Sequence, residues 1–314
     1  MTARRPSRPL SRARAALVAL ALVSATASGS GASQWTSAVD LTEYVDPFIG
    51  TLGSGFVFPG PAAPYGMVQL SPDTEGYLAY TGYMYNDSFI RGFSHVHVQS
   101  MGVREGGNLP FMPVTGPIVS TDAKRYQSKF SHATEEASPG YYKVGLDSYG
   151  VTAELTSGLR VGMHRYTFPP TGQANVLLDI GRQIPGGPDD DIQRTDGQYK
   201  AQAEILPDSR TILGTANPDL EGPQRYAVHF AARFDRSFTE YGVWPSRGAA
   251  TQPGVKTVNG RGAGAYVSFD PSADRDVVVK VGISFVSRAN ALENLESELP
   301  GDDFGFDALR ERTR

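Results

Sequence analysis

Apolar and polar residues alternate with a period of two over two long stretches of the chain. The first runs from Tyr226 to Asp235 and the second from Val277 to Phe285, where Lys280 falls among the polar positions. Successive side chains of a strand point to opposite faces, so this period predicts two strands, each with one buried and one solvated face. Both strands are expected to pair antiparallel.

Shorter apolar segments bounded by Gly, Pro, Asp or Ser indicate further strands. They are Tyr142 to Leu146, Val151 to Thr156, Gly162 to Phe168, Asn175 to Ile180 and Ala265 to Phe269. The spacing of these segments predicts an all-β fold in which antiparallel sheets form a sandwich. The long polar stretch from Gly181 to Lys200 is expected to be a loop that either closes over a site or is disordered.

One helix is predicted near the end of the chain, from Ala289 to Leu299, because its leucines recur at helical spacing. Pro300 is expected to end it. A second amphipathic segment, Asp302 to Arg314, begins in the same way, but its apolar face is about two turns long and has little to hold it in place. This pattern favours the front portion of a longer protein.

Residues 1–27 have the pattern of a secretory signal peptide. Five arginines precede a nine-residue apolar run from Ala15 to Val23, and an A-x-A cleavage site follows at Ala25 to Ala27. The apolar run is too short to span a bilayer, and no later segment is long enough. The protein is therefore expected to be secreted and to have no membrane span.

The 314-residue chain carries a formal net charge of −4, and removal of the five leader arginines changes it to −9. A nucleic-acid-binding surface needs clustered basic residues, so this acidic balance argues against nucleic acid as a partner. The chain has no cysteine, which excludes disulfides, thiolate nucleophiles and Cys-ligated zinc. The sequence also lacks the motifs for nucleotide phosphates, dinucleotides and a serine nucleophile elbow.

Two histidines, His95 and His97, are two residues apart, so in a strand from Phe93 to Val98 they share one face. Two imidazoles on one face can hydrogen-bond sugar hydroxyls or bind a metal ion. The alternative is a pair of structural histidines bonded within the protein. No third ligand stands at a recognisable spacing, which counts against the metal.

Tyrosines recur at Tyr77, Tyr80, Tyr83 and Tyr85. Such a row offers aromatic faces on which a hexose ring can stack. The alternative for Tyr83 and Tyr85 is a place in the core of a half-buried strand.

Two single aspartates and one acidic run each have a functional and a structural interpretation. Asp73 and Asp87 each stand in a turn-like context, where an aspartate more often caps its own backbone than acts as a catalytic carboxylate. The run from Asp189 to Asp191 can bind Ca²⁺ or form a solvated loop, and it lacks the spacing of a calcium-binding loop.

The stretch from Tyr44 to Thr74 has glycine and proline where an ordinary strand or helix has aliphatic residues, which predicts a rigid loop shaped around a ligand or another chain. With later blocks it resembles the opening of glycoside hydrolase family 92, the exo-acting, calcium-dependent α-mannosidases. The matching residues are Tyr44, Asp46 to Thr51, Phe58 to Pro61, Pro64 to Thr74, Gly82 to Tyr85, Gly92 to Val98 and Phe111 to Pro113, and Val279 to Gly301 resembles the end of the family's N-terminal domain. Phe56 stands where the family has histidine, and Ser100 to Glu105 differs from the family's glycine-rich turn.

The resemblance implies a supersandwich like that of galactose mutarotase over residues 44–288, after a leader at 28–43. A linker helix region at 289–314 would lead to an (α/α) barrel outside this sequence. That barrel would supply the catalytic acid and base for inverting hydrolysis and most ligands of an essential Ca²⁺.

Within such an enzyme, this chain would complete the mannose pocket for α-mannosides of the N-glycan type and would be catalytically silent alone. The pocket residues that the resemblance implies are Gly60, Tyr80, Tyr83, Tyr85, Ser94, His95 and His97. Two other functions stay open at this point. The chain can be a free-standing carbohydrate-binding module, or a mutarotase-like enzyme that uses His95 or His97 as acid or base.

Overall fold

Strands dominate the computed structural model, which describes residues 39–76, 81–99, 106–170, 172–184, 199–206, 208–220 and 225–314. The strands are β1 Ser71–Thr74, β2 Phe89–Ser94, β3 Val96–His97, β4 Gly106–Asn108, β5 Phe111–Thr115, β6 Ser128–Lys129, β7 Glu136–Ser138, β8 Tyr141–Leu146, β9 Val151–Ser157, β10 Val161–Thr167, β11 Ala174–Leu178, β12 Lys200–Ile205, β13 Thr211–Ala216, β14 Val228–Phe234, β15 Glu240–Trp244, β16 Gln252–Pro253, β17 Thr257–Arg261, β18 Gly264–Phe269 and β19 Asp276–Ser284. The helices are α1 Ala123–Tyr126, α2 Arg288–Glu298 and α3 Phe306–Thr313, with 3-10 turns at Leu41–Tyr44, Gly53–Gly55 and His132–Thr134.

Several predictions fall on residues outside this description. They are the signal peptide at 1–27, most of the leader at 28–43, Tyr77, Tyr80, the segment Ser100 to Glu105, and most of the loop from Gly181 to Lys200 with its acidic run Asp189 to Asp191. The residues Leu41–Arg314 form one compact unit. In the described part of the chain, no helix is both long and apolar enough to cross a membrane.

Two large antiparallel sheets form the sandwich that the sequence pattern predicts. One contains β1, β2, β5, β11, β18, β15 and β16 in that order, with β6 paired to β2. The other runs β17, β12, β13, β14, β19, β10, β9, β8 and β7. The seven predicted strand segments coincide with β8, β9, β10, β11, β14, β18 and β19, so the predicted all-β antiparallel fold is confirmed.

The main core lies between the two sheets. Phe93 from the first sheet contacts Tyr166 from the second, with ring centroids 6.3 Å apart, and Phe269 contacts Phe234 at 5.4 Å. Strand β11 is buried at every position, as expected for a strand that has neighbours on both sides and a covered surface. The apolar faces that the period-two pattern predicted therefore meet one another.

The outer face of the second sheet is covered by helices rather than by solvent. Ala231 of β14 and Met163 of β10 form a second apolar cluster with Ala291 and Leu295 of α2. The prediction of one wet face for β14 and β19 is therefore wrong along most of their length. The alternation of apolar and polar residues did not indicate this, because the helix packs on small residues such as Ala231 and Gly282. Small residues on one face of a strand do not stand out as an apolar row in the sequence.

Lys280 shows the consequence most clearly, because its side chain is fully buried although its position alternates with apolar residues. Its Nζ donates to the carbonyl oxygens of Leu299, Gly301 and Asp303 at 2.8, 2.7 and 3.1 Å. These carbonyls follow the end of α2, where the helix leaves backbone acceptors unpaired. Lys280 thus anchors the end of α2 to the sheet.

Both C-terminal helices are fixed on this surface. Helix α2 begins one residue earlier than predicted, with the Ser287 side chain accepting a hydrogen bond from the backbone N–H of Asn290 at 3.1 Å. Helix α3 was predicted to have little to hold it, and this is wrong. Its Phe306 and Leu309 are buried against the second apolar cluster, and the Arg165 guanidinium lies 4.3 Å from the Phe306 ring centroid.

Candidate functional site

A short tyrosine segment, Thr81–Tyr85, is held from two sides by buried polar groups at one edge of the first sheet. Its Gly82 carbonyl accepts from the N–H of Thr74, the last residue of β1, at 2.6 Å. Gly82 has φ +95°, and an added Cβ would lie 2.7 Å from both Asp73 Oδ1 and His97 Nε2. Only glycine fits this position, because a side chain would displace buried charged groups.

The first of these groups is the Asp73 cluster, formed by Asp73, Ser94, His97 and Arg182. Asp73 Oδ1 lies 2.9 Å from His97 Nε2, and Asp73 Oδ2 accepts from Arg182 Nη2 at 2.6 Å and from the Ser94 hydroxyl. Burial would raise the pKa of Asp73, but Arg182, followed by the bonds from His97 and Ser94, holds this pKa below its ordinary value. Asp73 is therefore a buried anion, and the prediction that it caps its own turn is wrong.

His97 carries a positive charge in this arrangement. Its Nδ1 lies 2.7 Å from the backbone carbonyl oxygen of Gln69, and its Nε2 faces the Asp73 carboxylate. Both partners only accept, whereas a neutral imidazole donates a single hydrogen. The two bonds form together only when the ring is protonated, so Asp73 has a cation on each side.

Arg182 connects the Asp73 cluster to a second buried carboxylate. Its Nε lies 4.0 Å from Asp179 Oδ2, which accepts from the Tyr126 hydroxyl at 2.6 Å. Burial raises the pKa of Asp179 to about 6, against the opposing effect of Arg182. Nε and Nη1 of Arg182 are buried and have no hydrogen-bond partner among the described residues.

His95 belongs to a separate hydrogen-bonded chain. Its Nδ1 lies 3.0 Å from the Leu109 carbonyl oxygen, and its Nε2 lies 3.1 Å from His164 Nε2. His164 Nδ1 is in turn 2.7 Å from the Tyr166 hydroxyl. Because a carbonyl only accepts, the protons are placed in one order, from Tyr166 to His164 to His95 to Leu109.

Burial governs the charge of this histidine chain. It lowers the pKa of His95 to about 4, and the pKa of His164 well below its usual range. Both rings are therefore neutral at pH 7. His95 and His97 do not form one strand, since β2 ends at Ser94 and β3 begins at Val96. The prediction of a continuous strand from Phe93 to Val98 is wrong, and the two rings contact different partners.

The Glu135 cluster holds the other end of the tyrosine segment. The Glu135 carboxylate accepts from the hydroxyls of Tyr83 and Tyr142 at 2.9 and 2.5 Å and lies 2.6 Å from His132 Nδ1. His132 Nε2 lies 2.8 Å from the Tyr85 carbonyl oxygen. Both nitrogens of His132 again face acceptors, which requires a protonated ring.

Tyr85 presents an accessible aromatic ring on this support. Its ring stacks on His132 with centroids 3.9 Å apart and planes within 1° of parallel. Its side chain is 36% exposed, whereas Tyr83 is in the core at 1%. The arrangement forms a fixed platform suited to stacking with a sugar ring.

The structure brings several predicted site residues together but leaves few of them accessible. Ser94 and His97 meet in the Asp73 cluster, His95 is fully buried, and all their described polar side-chain atoms are already bonded. Gly60 serves close packing, because an added Cβ would lie 2.0 Å from the Leu70 carbonyl oxygen. Direct sugar contact by these residues stays a prediction, and Tyr80 lies outside the described residues.

Asp87 also differs from its expected role as a cap of its own turn. Its carboxylate accepts from the Thr74 hydroxyl at 2.5 Å and from the Gly76 N–H at 2.8 Å. Its side chain therefore ties the segment after the tyrosines back to the end of β1 and to the residues that follow this strand. The expected local cap is wrong, although the aspartate does bond to backbone.

Some functional groups in this region left no sequence signal. Arg182, His132, Glu135 and His164 each bond to at least one residue that is distant in sequence, 109, 47, 52 and 69 positions away respectively. None of the four belongs to a recognisable motif. No group of three or more His, Cys, Asp or Glu side chains placed to hold a metal ion occurs within the described ranges. This region therefore positions aromatic and polar surface, and its described carboxylates are engaged with internal partners.

Exposed apolar side chains accompany the site along the N-terminal stretch. They include Tyr44 at 78%, Ile49 at 73% and Tyr65 at 105% exposure. The backbone of this stretch is tied to the site, since Thr51 O accepts from the Tyr85 N–H at 3.0 Å. Large exposed apolar side chains along one stretch of the chain are candidates for contact with another domain or protein.

Known proteins share this sequence and architecture. Residues 44–284 match the glycosyl hydrolase family 92 N-terminal domain. An uncharacterized secreted glycosidase of Arthroderma benhamiae is 29% identical over 299 residues, which cover 86% of this chain and 36% of that protein. The chain spans about a third of the length of this relative.

Solved structures give the same result. The family 92 α-mannosidase BT3965 of Bacteroides thetaiotaomicron is 32% identical, with a TM-score of 0.74 over 87% of this chain and 37% of its own. It has also been solved in complex with mannoimidazole. The inverting family 92 mannosidase BT2199 of the same organism shares the fold, with 24% identity and a TM-score of 0.72 over 88% of this chain and 35% of its own.

Proposed function

The chain belongs to glycosyl hydrolase family 92 through its N-terminal domain, and on that premise we propose that it forms the carbohydrate-binding part of a secreted α-mannosidase. In this proposal it completes the pocket for the terminal mannose of an α-mannoside of the N-glycan type. Another domain, an (α/α) barrel, supplies the acid and base for inverting hydrolysis and most of the ligands of Ca²⁺.

The observation that carries the proposal is the fixed position of the tyrosine segment. The Asp73 cluster packs against Gly82, the Glu135 cluster holds Tyr83, and the His132 ring supports Tyr85. Burying several charges costs desolvation free energy, which the ion pairs and hydrogen bonds of the two clusters offset. The same bonds fix the position of the five-residue tyrosine segment. A sugar ring that stacks on Tyr85 gains affinity from this rigidity, because little side-chain entropy remains to be lost.

The described carboxylates around this segment are poorly suited to catalysis. Inverting hydrolysis needs one protonated carboxylic acid and one carboxylate that activates water. Asp73 is held as an anion by two cations, and Glu135 accepts three hydrogen bonds. Asp179 has a pKa raised to about 6, but it is buried and bonded to Tyr126. These facts support placing the acid and base in another domain.

The proposal also assigns regions of the chain. Residues 1–27 direct secretion, 28–43 form a leader, 44–288 form the sandwich and 289–314 lead toward the barrel. The exposed apolar residues between Tyr44 and Tyr65 would pack against that barrel. The mutarotase-like alternative gains no support, since the ring nitrogens of His95 and His97 are engaged with partners inside the protein.

The decisive experiment compares residues 28–314 with a longer form that contains the downstream domain. Each form is incubated with an α-1,2-mannobioside, with calcium and then with a chelator, and released mannose is measured. The proposal expects release only by the longer, calcium-loaded form. Release by the short form would refute the division of roles, and tight sugar binding by the short form alone would favour the free-standing module.

A variant in the longer form tests the platform itself. Tyr85→Ala is expected to raise KM for the mannobioside roughly tenfold, because one stacking contact of about 1 to 2 kcal/mol is lost. Tyr241→Ala is the matched control, since Tyr241 lies on β15 near the opposite edge of the same sheet. Equal kinetic constants for the two variants would show that Tyr85 does not contact the substrate.

A further inference from the structure

A groove of about 560 Å³ lies where β12, β13 and β14 meet the start of α2. Its volume falls within the range of small-molecule sites. Part of its lining, the polar wall, contains Gln202, Thr215, His229 and Arg288. Another part, the apolar wall, contains Tyr226 and Phe285, so the groove suits a ligand that has both polar groups and an apolar face.

Hydrogen bonds order the polar wall around the Thr215 hydroxyl. Arg288 Nε donates to Thr215 Oγ1 at 3.0 Å, and Arg288 Nη2 donates to Gln202 Oε1 at 2.7 Å. Thr215 Oγ1 also lies 2.9 Å from His229 Nδ1. Burial, followed by the charge of Arg288, lowers the pKa of His229, so the ring is neutral at pH 7.

The neutral His229 ring has one nitrogen, Nε2, that is not bonded to Thr215. Nε2 donates when the Thr215 hydroxyl donates to Nδ1, and it accepts when Nδ1–H donates to Thr215. The Gln202 amide hydrogens and Arg288 Nη1 are further donors, and among the described residues they have no hydrogen-bond acceptor. The wall therefore offers donors to an acceptor-rich ligand.

The charge of the groove is positive. Arg225 and Arg288 both line it, and neither has a carboxylate partner in the described part of the chain. The neighbouring carboxylate of Asp219 is paired with Lys200 at 2.7 Å. Two guanidinium groups at one groove favour an anion. Arg288 has Nη1 left for it, because its Nε and Nη2 already donate within the protein, and the Arg225 guanidinium can match the planar geometry of a carboxylate.

The apolar wall carries an aromatic pair. Tyr226 and Phe285 lie edge to face with centroids 5.6 Å apart, and the Phe285 side chain is 42% exposed. The sequence pattern placed Phe285 in the buried row of β19, but that strand ends at Ser284. The ring is thus turned out of the core, where it can stack with a ligand ring.

From this arrangement we propose that the groove is a binding site for a sugar acid, a hexuronate. The sugar ring rests on Phe285 and Tyr226, and the carboxylate pairs with the guanidinium groups of Arg225 and Arg288. Its hydroxyls accept hydrogen bonds from the Gln202 amide and bond to His229 Nε2, since a hydroxyl can either donate or accept. These neutral polar groups favour a hydroxylated ring over a flat aromatic acid that has no hydroxyls.

Calorimetric titration of the whole chain with sodium glucuronate tests the site, with mannose and inorganic phosphate as comparison ligands. Glucuronate is expected to bind at least about tenfold more tightly than mannose, because only its carboxylate pairs with the guanidinium groups. Arg225→Gln is expected to weaken glucuronate binding roughly tenfold. The control Arg275→Gln changes an exposed arginine at the other end of β19 and should have no effect.

Phe285→Ala provides a second variant, since its exposed ring can be removed without disturbing the core. It is expected to weaken glucuronate binding several-fold and to leave phosphate binding unchanged. Glucuronate binding that neither variant weakens would overturn the proposal, as would the absence of binding at millimolar concentration. Phosphate binding as tight as glucuronate binding would assign the groove to a bare anion and also overturn it. None of these outcomes depends on mannosidase activity.

Discussion

Replacement of Arg182 by methionine is the sharpest test of the buried charges beneath the tyrosine segment. The Asp73 cluster and the neighbouring Asp179 together contain two carboxylates, Asp73 and Asp179, and two cations, His97 and Arg182, so their formal charges balance. Arg182→Met keeps much of the side-chain volume and removes one positive charge. The Arg182 side chain is only 9% exposed, so solvent can do little to replace it.

The expected cost is about 3 to 5 kcal/mol of unfolding free energy at pH 8, the range for breaking a buried ion pair by removing one partner. The cost is shared by both carboxylates: Asp73 loses its direct bond to Arg182 but keeps His97 and Ser94, whereas Asp179 loses the nearest cation and keeps the Tyr126 hydroxyl. The pKa of Asp179, already raised to about 6, should rise further. A carboxyl whose folded-state pKa exceeds its unfolded value binds more protons when folded, so stability recovers as pH falls.

The assay is urea unfolding at pH 8 and at pH 5.5, with tryptophan fluorescence as the signal that monitors the transition. The variant should lose stability strongly at pH 8 and less at pH 5.5, by about 1.4 kcal/mol for each further unit of pKa rise. Arg182→Met with Asp179→Asn should recover the part of the loss that comes from the unpaired Asp179 carboxylate, and with it most of the pH dependence. Arg91→Met is the control, because Arg91 is partly buried and its guanidinium bonds to the Gln127 amide. An equal loss at both pH values, without recovery in the double variant, would refute the electrostatic argument.

Four further outcomes are expected. Lys280→Met should cost about 3 kcal/mol in urea unfolding, since one buried and two partly buried bonds from a charged donor to carbonyl oxygens are lost, whereas Lys143→Met at an exposed ion pair should cost less than about 1 kcal/mol. Gly82→Ala should lower stability by about 2 to 4 kcal/mol through a strained φ and contacts of 2.7 Å, measured by thermal unfolding. Glu135→Gln should cost about 2 kcal/mol in the same assay, because the amide turns donor hydrogens toward donors. The pKa of His95 is about 4 in the folded protein and about 6.5 in the unfolded chain, so the unfolded chain takes up a proton first as pH falls. This lowers the free energy of unfolding by about 3 kcal/mol between these two pH values, and His95→Gln should remove that pH dependence.

The local pattern was enough to place most strands of the two sheets. The segments around Val151, Asn175 and Val277 were predicted within one or two residues, because period-two burial is written directly into neighbouring positions. The pattern failed where a second layer covers a sheet. Lys280 looked solvated, and only the position of α2 shows that its charge is buried.

The sequence by itself determined the fold class, the family and the approximate ends of most elements, because these follow from local periodicity and from motifs such as the one around Gly82. Only the tertiary structure decided which polar residues meet. Asp73 and Arg182 are 109 positions apart, and no local pattern records such a pairing. The charge of His97 depends on acceptors at both nitrogens, and the low pKa of His95 depends on complete burial. Protonation and accessibility are properties of the three-dimensional surroundings, so they become defined only when distant segments pack together.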